Sequence, residues 1–221
     1  MTRCECGLSY VPGVPDDDLA HHHAHQKYLN GPGLQGLLSL SPIGHVGALR
    51  VLMIDATTPA PVRRELAEVV YVAQVETPDF PAGYDGTVTE ADERLFLVAG
   101  GARAVAFAVT ALDEPHWRLR WEGHDALEFA DQQAIPGDRQ KIGRVWVAKA
   151  HRRQGIAKGL LEIVARTLGC ELRDLGWELP LTGDGRRLLR KLLPETWLGR
   201  GDAFALEETL KAPASEQEAG P

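Results

Sequence analysis

The amino-acid sequence predicts an α/β protein in which a central mixed sheet is flanked by helices, with a small metal-binding module at the N-terminal end. Between residues 48 and 210, apolar runs typical of strands alternate with segments of helical periodicity. The first 31 residues differ, because they hold two of the three cysteines and four of the eight histidines. We therefore expect a finger-like module over residues 1–31, a linker over 32–47, the main domain over 48–210 and a disordered tail over 211–221.

Composition and charge narrow the functional classes. The chain has 221 residues, of which 44% are hydrophobic and 25% are charged, as is ordinary for a globular protein. No apolar run approaches the roughly 20 residues that span a bilayer, and the first residues lack the apolar core of a secretory signal. We expect a cytoplasmic protein without a membrane partner. The net charge of −7 disfavours nucleic acid and suits a cationic substrate such as an amine, although it also simply maintains solubility.

The first half of the main domain contains a predicted strand, a helix and a hairpin. Residues 48–56 form an apolar run that predicts the first strand. Pro61 opens a segment with apolar residues at helical spacing, which predicts an amphipathic helix. The apolar runs over 93–112 flank Gly100-Gly101, a pattern typical of a hairpin. Residues 113–140 are polar, and within them only 116–123 indicates a strand, at an edge of the sheet.

The second half continues the alternation. Gly169 is a plausible C-terminal cap of one helix. Thr182 resembles the N-cap of another helix, whose end is set by Pro194. The predicted elements are strands over 143–150, 171–179 and 203–208, and helices over 155–169 and from Thr182 to Pro194.

A basic segment lies where the strand over 143–150 meets the following helix. It contains Arg152, Arg153 and Gly155, with Lys158 just beyond. The first N–H groups of a helix lack intrahelical partners, and the helix dipole adds partial positive charge, so such a junction favours anions. A glycine also lets the backbone approach a phosphate closely. The local pattern alone is a weak signal, and such a segment is more often a simple solvated turn.

The N-terminal cysteines and histidines have the composition of a zinc site. Two thiolates and two imidazoles complete a closed, structural tetrahedron of the kind that folds a segment without catalysing a reaction. His21 and His25 would share one face of a helix, while His22 and His23 are rival ligands. The alternative is a histidine-rich segment without metal. The predicted ligands are Cys4, Cys6, His21 and His25.

The segment Arg-Arg-Gln-Gly-Ile-Ala over residues 152–157 resembles the R/Q-x-x-G-x-G/A pattern of the GNAT acyltransferases, with Arg152, Gly155 and Ala157 in the pattern positions. The resemblance implies a GNAT fold that uses acetyl-CoA as co-substrate. It implies that the backbone of the preceding strand lines the pantetheine arm, at Val145, Trp146 and Val147. It further implies that the diphosphate is held by Arg152, Arg153, Gln154, Gly155, Ile156, Ala157 and Lys158.

A narrower resemblance covers both ends of the chain. The stretch RVWVAKAHRRQGIAKGLLE, from residue 144, is similar to the motif of the cohesin acetyltransferase (Eco/ESCO) family. The segment from Cys4 to His25 resembles that family's N-terminal zinc finger. Together the similar regions span about residues 1–75 and 141–206. The resemblance implies an N-acetyltransferase acting on a primary amine, most simply a protein lysine.

Two positions depart from the family's pattern. The cysteines are separated by one residue, where the family has two. The family also places a catalytic aspartate before its last helix, and here Pro180 stands at that position. Both departures concern positions that the family uses directly, for metal or for chemistry.

Acetyl transfer to an amine requires a group that accepts the amine's proton, because an ammonium cannot attack the thioester. The candidate bases are Glu178, Glu162 and Asp184. Glu162 matches a glutamate of the Eco/ESCO family, Glu178 lies two residues before Pro180, and Asp184 is placed like an ordinary helix-start acid. Each could instead be a solvated side chain.

The sequence is also compatible with two other functions. The chain could acetylate a small amine of the antibiotic type, or it could be a binding module whose acyl-CoA site is degenerate. The acceptor groove is expected from residues 78–92 and 113–140, where no motif identifies the acceptor.

Overall fold

The computed structural model describes residues 1–76, 92–113, 116–122, 126–131, 133–179 and 181–200. Within those residues the helices are α1 (Pro15–Asn30), α2 (Ala60–Glu76), α3 (Ile156–Thr167) and α4 (Gly183–Leu192). The strands are β1 (Thr2–Arg3), β2 (Ser9–Tyr10), β3 (Gly44–Val46), β4 (Leu49–Ile54), β5 (Arg94–Gly100), β6 (Arg103–Asp113), β7 (His116–Glu122), β8 (Ala126–Phe129), β9 (Arg139–Val147), β10 (Gly176–Glu178) and β11 (Thr196–Arg200).

The chain forms two compact units. The first comprises Met1–Phe107 and Trp146–Leu160, and the second comprises Ala108–Val145 and the chain from Leu161 onwards. The chain passes from one unit to the other within β6, β9 and α3. Among the described residues, no helix combines the length and the apolar character that a bilayer crossing requires.

The first unit contains a sheet with the strand order β3–β4–β5–β6. Strands β3, β4 and β5 are antiparallel neighbours, and Gly101 turns the chain between β5 and β6 at a φ of 61°. This confirms the predicted hairpin. Helix α2 buries the predicted apolar stripe, including Leu66 and Val69, so the amphipathic helix is confirmed as well.

The second unit has the strand order β6–β9–β10–β11–β7–β8. The neighbours β9–β10 and β10–β11 are parallel, whereas β11–β7 and β7–β8 are antiparallel. A mixed sheet accompanied by helices is the predicted fold class. The prediction of an edge strand over 116–123 is wrong in one respect, because β7 lies between β11 and β8. Its partner β11 is far along the chain and could not be inferred locally.

The predicted helix ends are confirmed by their hydrogen bonds. Gly169 has a φ of 69°, and the Cys170 N–H donates to the Ala165 carbonyl at 3.0 Å, as in a Schellman cap. The Thr182 hydroxyl accepts from the Gly185 N–H at 3.1 Å. The strand predicted over 171–179 is shorter, because a 3₁₀ turn (Leu172–Asp174) precedes β10. The predicted strand over 203–208 and the tail over 211–221 lie outside the described residues.

The N-terminal module belongs to the first unit and is attached to the start of β6 by hydrogen bonds. It consists of the β1–β2 hairpin and α1. After α1, the Arg103 guanidinium donates to the Gly31 carbonyl at 3.0 Å, and the Ala104 N–H donates to the Pro32 carbonyl at 3.0 Å. The segment over residues 32–47, expected to be a linker, therefore begins with backbone hydrogen bonds to the β5–β6 hairpin. Strand β3 lies near the end of this segment.

Candidate active site and metal centre

A basic loop (residues 152–155) connects a 3₁₀ turn (Lys149–His151) to α3. Two side chains of this loop bond to the backbone before it. The Arg152 Nε–H donates to the Val147 carbonyl at 2.9 Å, and the Gln154 amide donates to the Ala150 carbonyl at 3.0 Å. The loop is thus folded back on the end of β9, with Arg153, Gln154 and Gly155 exposed.

The basic loop has the backbone conformation of an anion site. Arg153 has a φ of 62°, the one positive value at a non-glycine residue among those described, and Gly155 has a φ of 79°. Left-handed residues next to helical ones orient successive N–H groups into a concavity that binds anions. The first turn of α3 follows at once, since the Gly159 N–H donates to the Gly155 carbonyl. The N–H groups of Ile156, Ala157 and Lys158 are then the donors that a helix start offers to an anion.

Strand β9 extends beyond its pairing with β10. The register pairs Lys141 with Gly176 and Ile142 with Trp177, while β9 itself continues to Val147. The segment predicted to line the pantetheine arm, residues 145–147, lies in this part of β9. Trp146 is buried and stacks on Phe107, with ring centroids 5.8 Å apart, so its side chain anchors the strand and its backbone is the part that could meet a ligand.

Glu178 lies one residue past the last β9–β10 pair, in a network of four ionised side chains. Its Oε2 is 2.6 Å from Lys141 Nζ, and Lys141 Nζ is also 2.6 Å from Asp113 Oδ2. The Arg200 guanidinium donates to Asp113 Oδ1 at 3.2 Å and lies 3.9 Å from Glu178 Oε1. These side chains are between 15% and 33% exposed, so the charges interact more strongly than on an open surface.

Positive charge surrounds Glu178 on a third side. Burial lowers the pKa of the Arg144 guanidinium, and the negative charge of Glu178 opposes that change. The ionic contacts with Lys141 and Arg200 hold the Glu178 carboxylate in place. Its Oε1 has a longer contact, to Arg200, than its Oε2 has to Lys141.

The other two predicted carboxylates have different surroundings. Glu162 is exposed on α3. Asp184 is exposed in the first turn of α4 and pairs with Arg187 at 3.0 Å, as is common for a helix-start acid. Pro180, which stands at the family's aspartate position, lies outside the described residues, as does most of the segment 78–92 expected in the acceptor groove.

Sequence reasoning missed Asp113, Lys141 and Arg200. Asp113 and Arg200 are the last residues of β6 and β11, and Lys141 is the third residue of β9. No motif surrounds them, and the pairing of β9, β10 and β11 with their neighbours brings the three together. The alternation of charged and apolar residues in these strands was the only signal, and it does not identify partners.

The four predicted metal ligands converge. The donor atoms of Cys4, Cys6, His21 and His25 lie within 4.8 Å of one another, and Cys4 Sγ is 3.4 Å from His25 Nδ1. A tetrahedral zinc ion holds its donors roughly 3.3–3.8 Å apart, so only small adjustments separate this arrangement from a zinc site.

Further features of the cluster fit a metal. His21 Nε2 is buried with no hydrogen-bond partner among the described residues, as expected of a nitrogen that binds a cation, and its ring stacks on Tyr10 at 3.9 Å. Burial raises the pKa of the Cys6 thiol, a change that a bound cation reverses because it binds the thiolate. The rival histidines, His22 and His23, are exposed and stand outside the cluster.

Comparison with known proteins finds an acetyltransferase family that is similar to this part of the chain. The family model described as ESCO1/2 acetyl-transferase matches residues 141–196, the segment that holds β9, the basic loop, α3, β10 and α4. The chain is 27% identical over 86% of its length to the N-acetyltransferase ECO1 of Eremothecium gossypii, covering 83% of that protein. This chain is a GNAT-fold acetyltransferase that resembles the ESCO/Eco family.

Other comparisons agree with this acetyltransferase assignment. The N-acetyltransferase eco of Drosophila melanogaster is 26% identical over 85% of this chain, and the chain spans only 18% of the length of that protein. The solved xEco2 acetyltransferase domain bound to a K105–CoA conjugate aligns with a TM-score of 0.61 and 16% identity, covering 74% of this chain and 98% of that domain. That likeness shows that this chain has the fold of that domain.

Proposed function

We propose that this GNAT acetyltransferase transfers the acetyl group of acetyl-CoA to a primary amine, most simply the side chain of a protein lysine. The observation that carries the proposal is the sequence of three features along one segment. The pairing of β9 with β10 ends at Ile142. The basic loop has backbone angles typical of an anion site, and α3 begins directly after this loop. The names of the curated relatives support the same activity.

The co-substrate is held mainly by backbone groups. The N–H groups of residues 153–158 and the charges of Arg152, Arg153 and Lys158 bind the diphosphate. The backbone of Val145, Trp146 and Val147 pairs with the pantetheine arm. Because these contacts use the shape of the backbone, few side chains are needed to place the thioester.

The reaction is direct attack by a neutral amine. The amine nitrogen forms a bond to the thioester carbonyl carbon, the carbon–sulfur bond breaks, CoA leaves as the thiolate, and a carboxylate accepts the proton that the amine loses. Glu178, which lies where β9 and β10 part, is the proposed base, and Glu162 is the alternative. The net charge of −7 favours the approach of a cationic acceptor at long range.

Substitution of the two glutamates tests the proposed base. Glu178→Gln is expected to lower kcat by about 100-fold, within the range that loss of a general base produces, while the Kd for CoA stays unchanged. Glu162→Gln is measured in parallel, and Glu171→Gln is the control, since Glu171 pairs only with the exposed Arg173 in the described contacts. If both Glu178→Gln and Glu162→Gln retain the full rate, the carboxylate mechanism is wrong.

The acceptor is tested without assuming its identity. The protein with acetyl-CoA is incubated with a proteome extract and with a panel of small amines that includes aminoglycosides, and acetylated products are identified by mass spectrometry. Acetyl-lysine in protein is the expected result. Products found only in the amine panel would contradict the lysine acceptor, and CoA binding without any product would contradict the enzymatic function.

The Cys4, Cys6, His21 and His25 cluster holds a structural zinc ion in this proposal. A zinc ion there would organise the first 31 residues and leave no open position for water. Metal analysis of the purified protein is expected to give one zinc per chain, and Cys6→Ser is expected to lower that content. Retention of full zinc content by Cys6→Ser would contradict this ligand set.

A further inference from the structure

The residue between the two cysteines contacts the turn that leads into the basic loop. Because Cys4 and Cys6 are separated by one residue, Glu5 is fixed between two metal ligands. Its Oε2 lies 2.6 Å from Lys149 Nζ. The unusual spacing of the cysteines thus coincides with a direct ionic contact to the acetyl-CoA segment.

A second contact joins Lys149 to the histidine side of the metal cluster. The Lys149 ammonium lies 5.3 Å from the centroid of the Tyr28 ring, a distance typical of a cation–π interaction. Tyr28 is buried, and its ring centroid is 6.1 Å from that of His25. Lys149 therefore contacts residues adjacent to both the cysteine and the histidine ligands.

The turn that contains Lys149 also supports the basic loop. The Lys149 carbonyl accepts from the Arg152 N–H at 3.4 Å, and the Ala150 carbonyl accepts from the Gln154 amide at 3.0 Å. Arg153, between these two, has the positive φ of 62°. Such a conformation at a non-glycine residue persists only where its surroundings hold it. Fixing the turn at 149–151 consequently limits the conformations of the loop.

We infer that Glu5 and Lys149 are positioning residues through which the metal-bound N-terminal module orders the basic loop, so that metal occupancy raises the affinity for the CoA diphosphate. The inference rests on the proposed acetyl-CoA function. An ordered loop loses less conformational freedom when it binds its ligand. The coupling is reciprocal, so bound CoA tightens zinc binding by the same factor.

The experiment measures the Kd for CoA by calorimetry on the full chain, zinc-loaded and after chelation. Glu5→Gln is expected to keep one zinc per chain and to raise this Kd about two- to fivefold, the range expected for an exposed ion pair. Lys149→Gln has the same effect, and Lys149→Arg restores the Kd of the unmodified protein. Chelation raises the Kd of the unmodified protein and has a smaller effect on Glu5→Gln. For acetyl transfer, KM for acetyl-CoA rises while kcat is unchanged.

Glu68→Gln is the matched control. Glu68 pairs with Lys27 and joins α1 to α2 with similar exposure, but neither residue contacts the 149–151 turn in the described hydrogen bonds. It is expected to leave the Kd for CoA unchanged. A reduction of the Kd in Glu5→Gln would overturn the inference, because it would mean that Lys149 binds phosphate itself once released.

Two further outcomes separate this inference from the function on which it rests. If the zinc-loaded protein binds CoA with a Kd that neither chelation nor Glu5→Gln alters, the coupling is wrong and the acetyl-CoA site stands. If the zinc-loaded protein does not bind CoA at all, the proposed function fails and the coupling fails with it.

Discussion

Gly155 gives the basic loop a conformation that a side chain would oppose. Its φ is 79°, and a Cβ there would meet no other atom within 4 Å, so substitution strains the backbone without a clash. The left-handed conformation disfavours a residue with a Cβ by about 1 kcal/mol. We expect Gly155→Ala to raise the Kd for CoA about fivefold, measured by calorimetry, since 1 kcal/mol corresponds to that factor.

Gly137 provides the control for this substitution. It has a φ of 90° and an equally open Cβ position, but it lies in the loop before β9. Gly137→Ala is expected to lower the free energy of unfolding by about as much as Gly155→Ala, with no change in the Kd for CoA. Equal Kd values for both variants and the unmodified protein would show that the loop conformation does not determine CoA binding.

For single residues, spacing along the sequence predicts the metal ligands better than it predicts the partners in ion pairs. The i, i+4 spacing of His21 and His25 places both on one helical face, so the sequence identified the pair that converges with the cysteines and excluded neither rival. The exposure of His22 and His23 follows from the rotation of α1 relative to the β1–β2 hairpin, and tertiary packing decides it. The partners of Glu178 were not predictable, because three separate strands supply them.

Helix α4 begins at a side-chain cap that the sequence predicted. The Thr182 hydroxyl accepts from the Gly185 N–H, and this satisfies one of the four orphan donors at the helix start. Thr182→Ala is expected to lower the free energy of unfolding by about 1 kcal/mol, measured by urea denaturation. Thr182→Ser keeps the hydroxyl and should lose much less. Equal losses in the two variants would show that the hydroxyl contributes nothing to stability.

At the element scale, helices were predicted more completely than strands. Helices α2 and α3 follow from local periodicity and caps, and their observed bounds agree closely with the predicted ones. Strand β3 was missed inside the expected linker, and β7 was assigned to an edge. A strand's neighbours depend on pairing with distant segments, and a three-residue strand such as β3 has too few residues to show a pattern.

At the scale of the whole chain, the N-terminal module is part of the first compact unit. Its backbone is bonded to the β5–β6 hairpin near Gly31 and Pro32, and Glu5 contacts Lys149. Composition predicted a finger-like module over residues 1–31 that has too few large apolar residues to hold a core unaided. These polar contacts attach the module to the β5–β6 hairpin and to the turn before the basic loop.

The whole molecule also contains a buried imidazole that links its stability to pH. His116 in β7 is fully buried, and both ring nitrogens lack a hydrogen-bond partner among the described residues. A Cβ at position 176 would overlap the ring, so Gly176 makes room for it. Burial lowers the pKa of His116, and the facing charges oppose or add to that change: Asp113 raises the pKa, while Arg139, Lys141 and Arg200 lower it.

This lowered pKa predicts that the protein loses stability on mild acidification. Below the ordinary histidine pKa of about 6.5, the unfolded chain binds a proton that the folded chain excludes at His116, so the free energy of unfolding falls as the pH decreases. Above about pH 7 the residue is neutral in both states and contributes no slope. Urea denaturation between pH 5.5 and 8 should show this dependence, and His116→Gln should flatten it even if its absolute stability is lower. An equal slope in both proteins between pH 5.5 and 6.5 would mean that the folded protein protonates His116 as readily as the unfolded chain does.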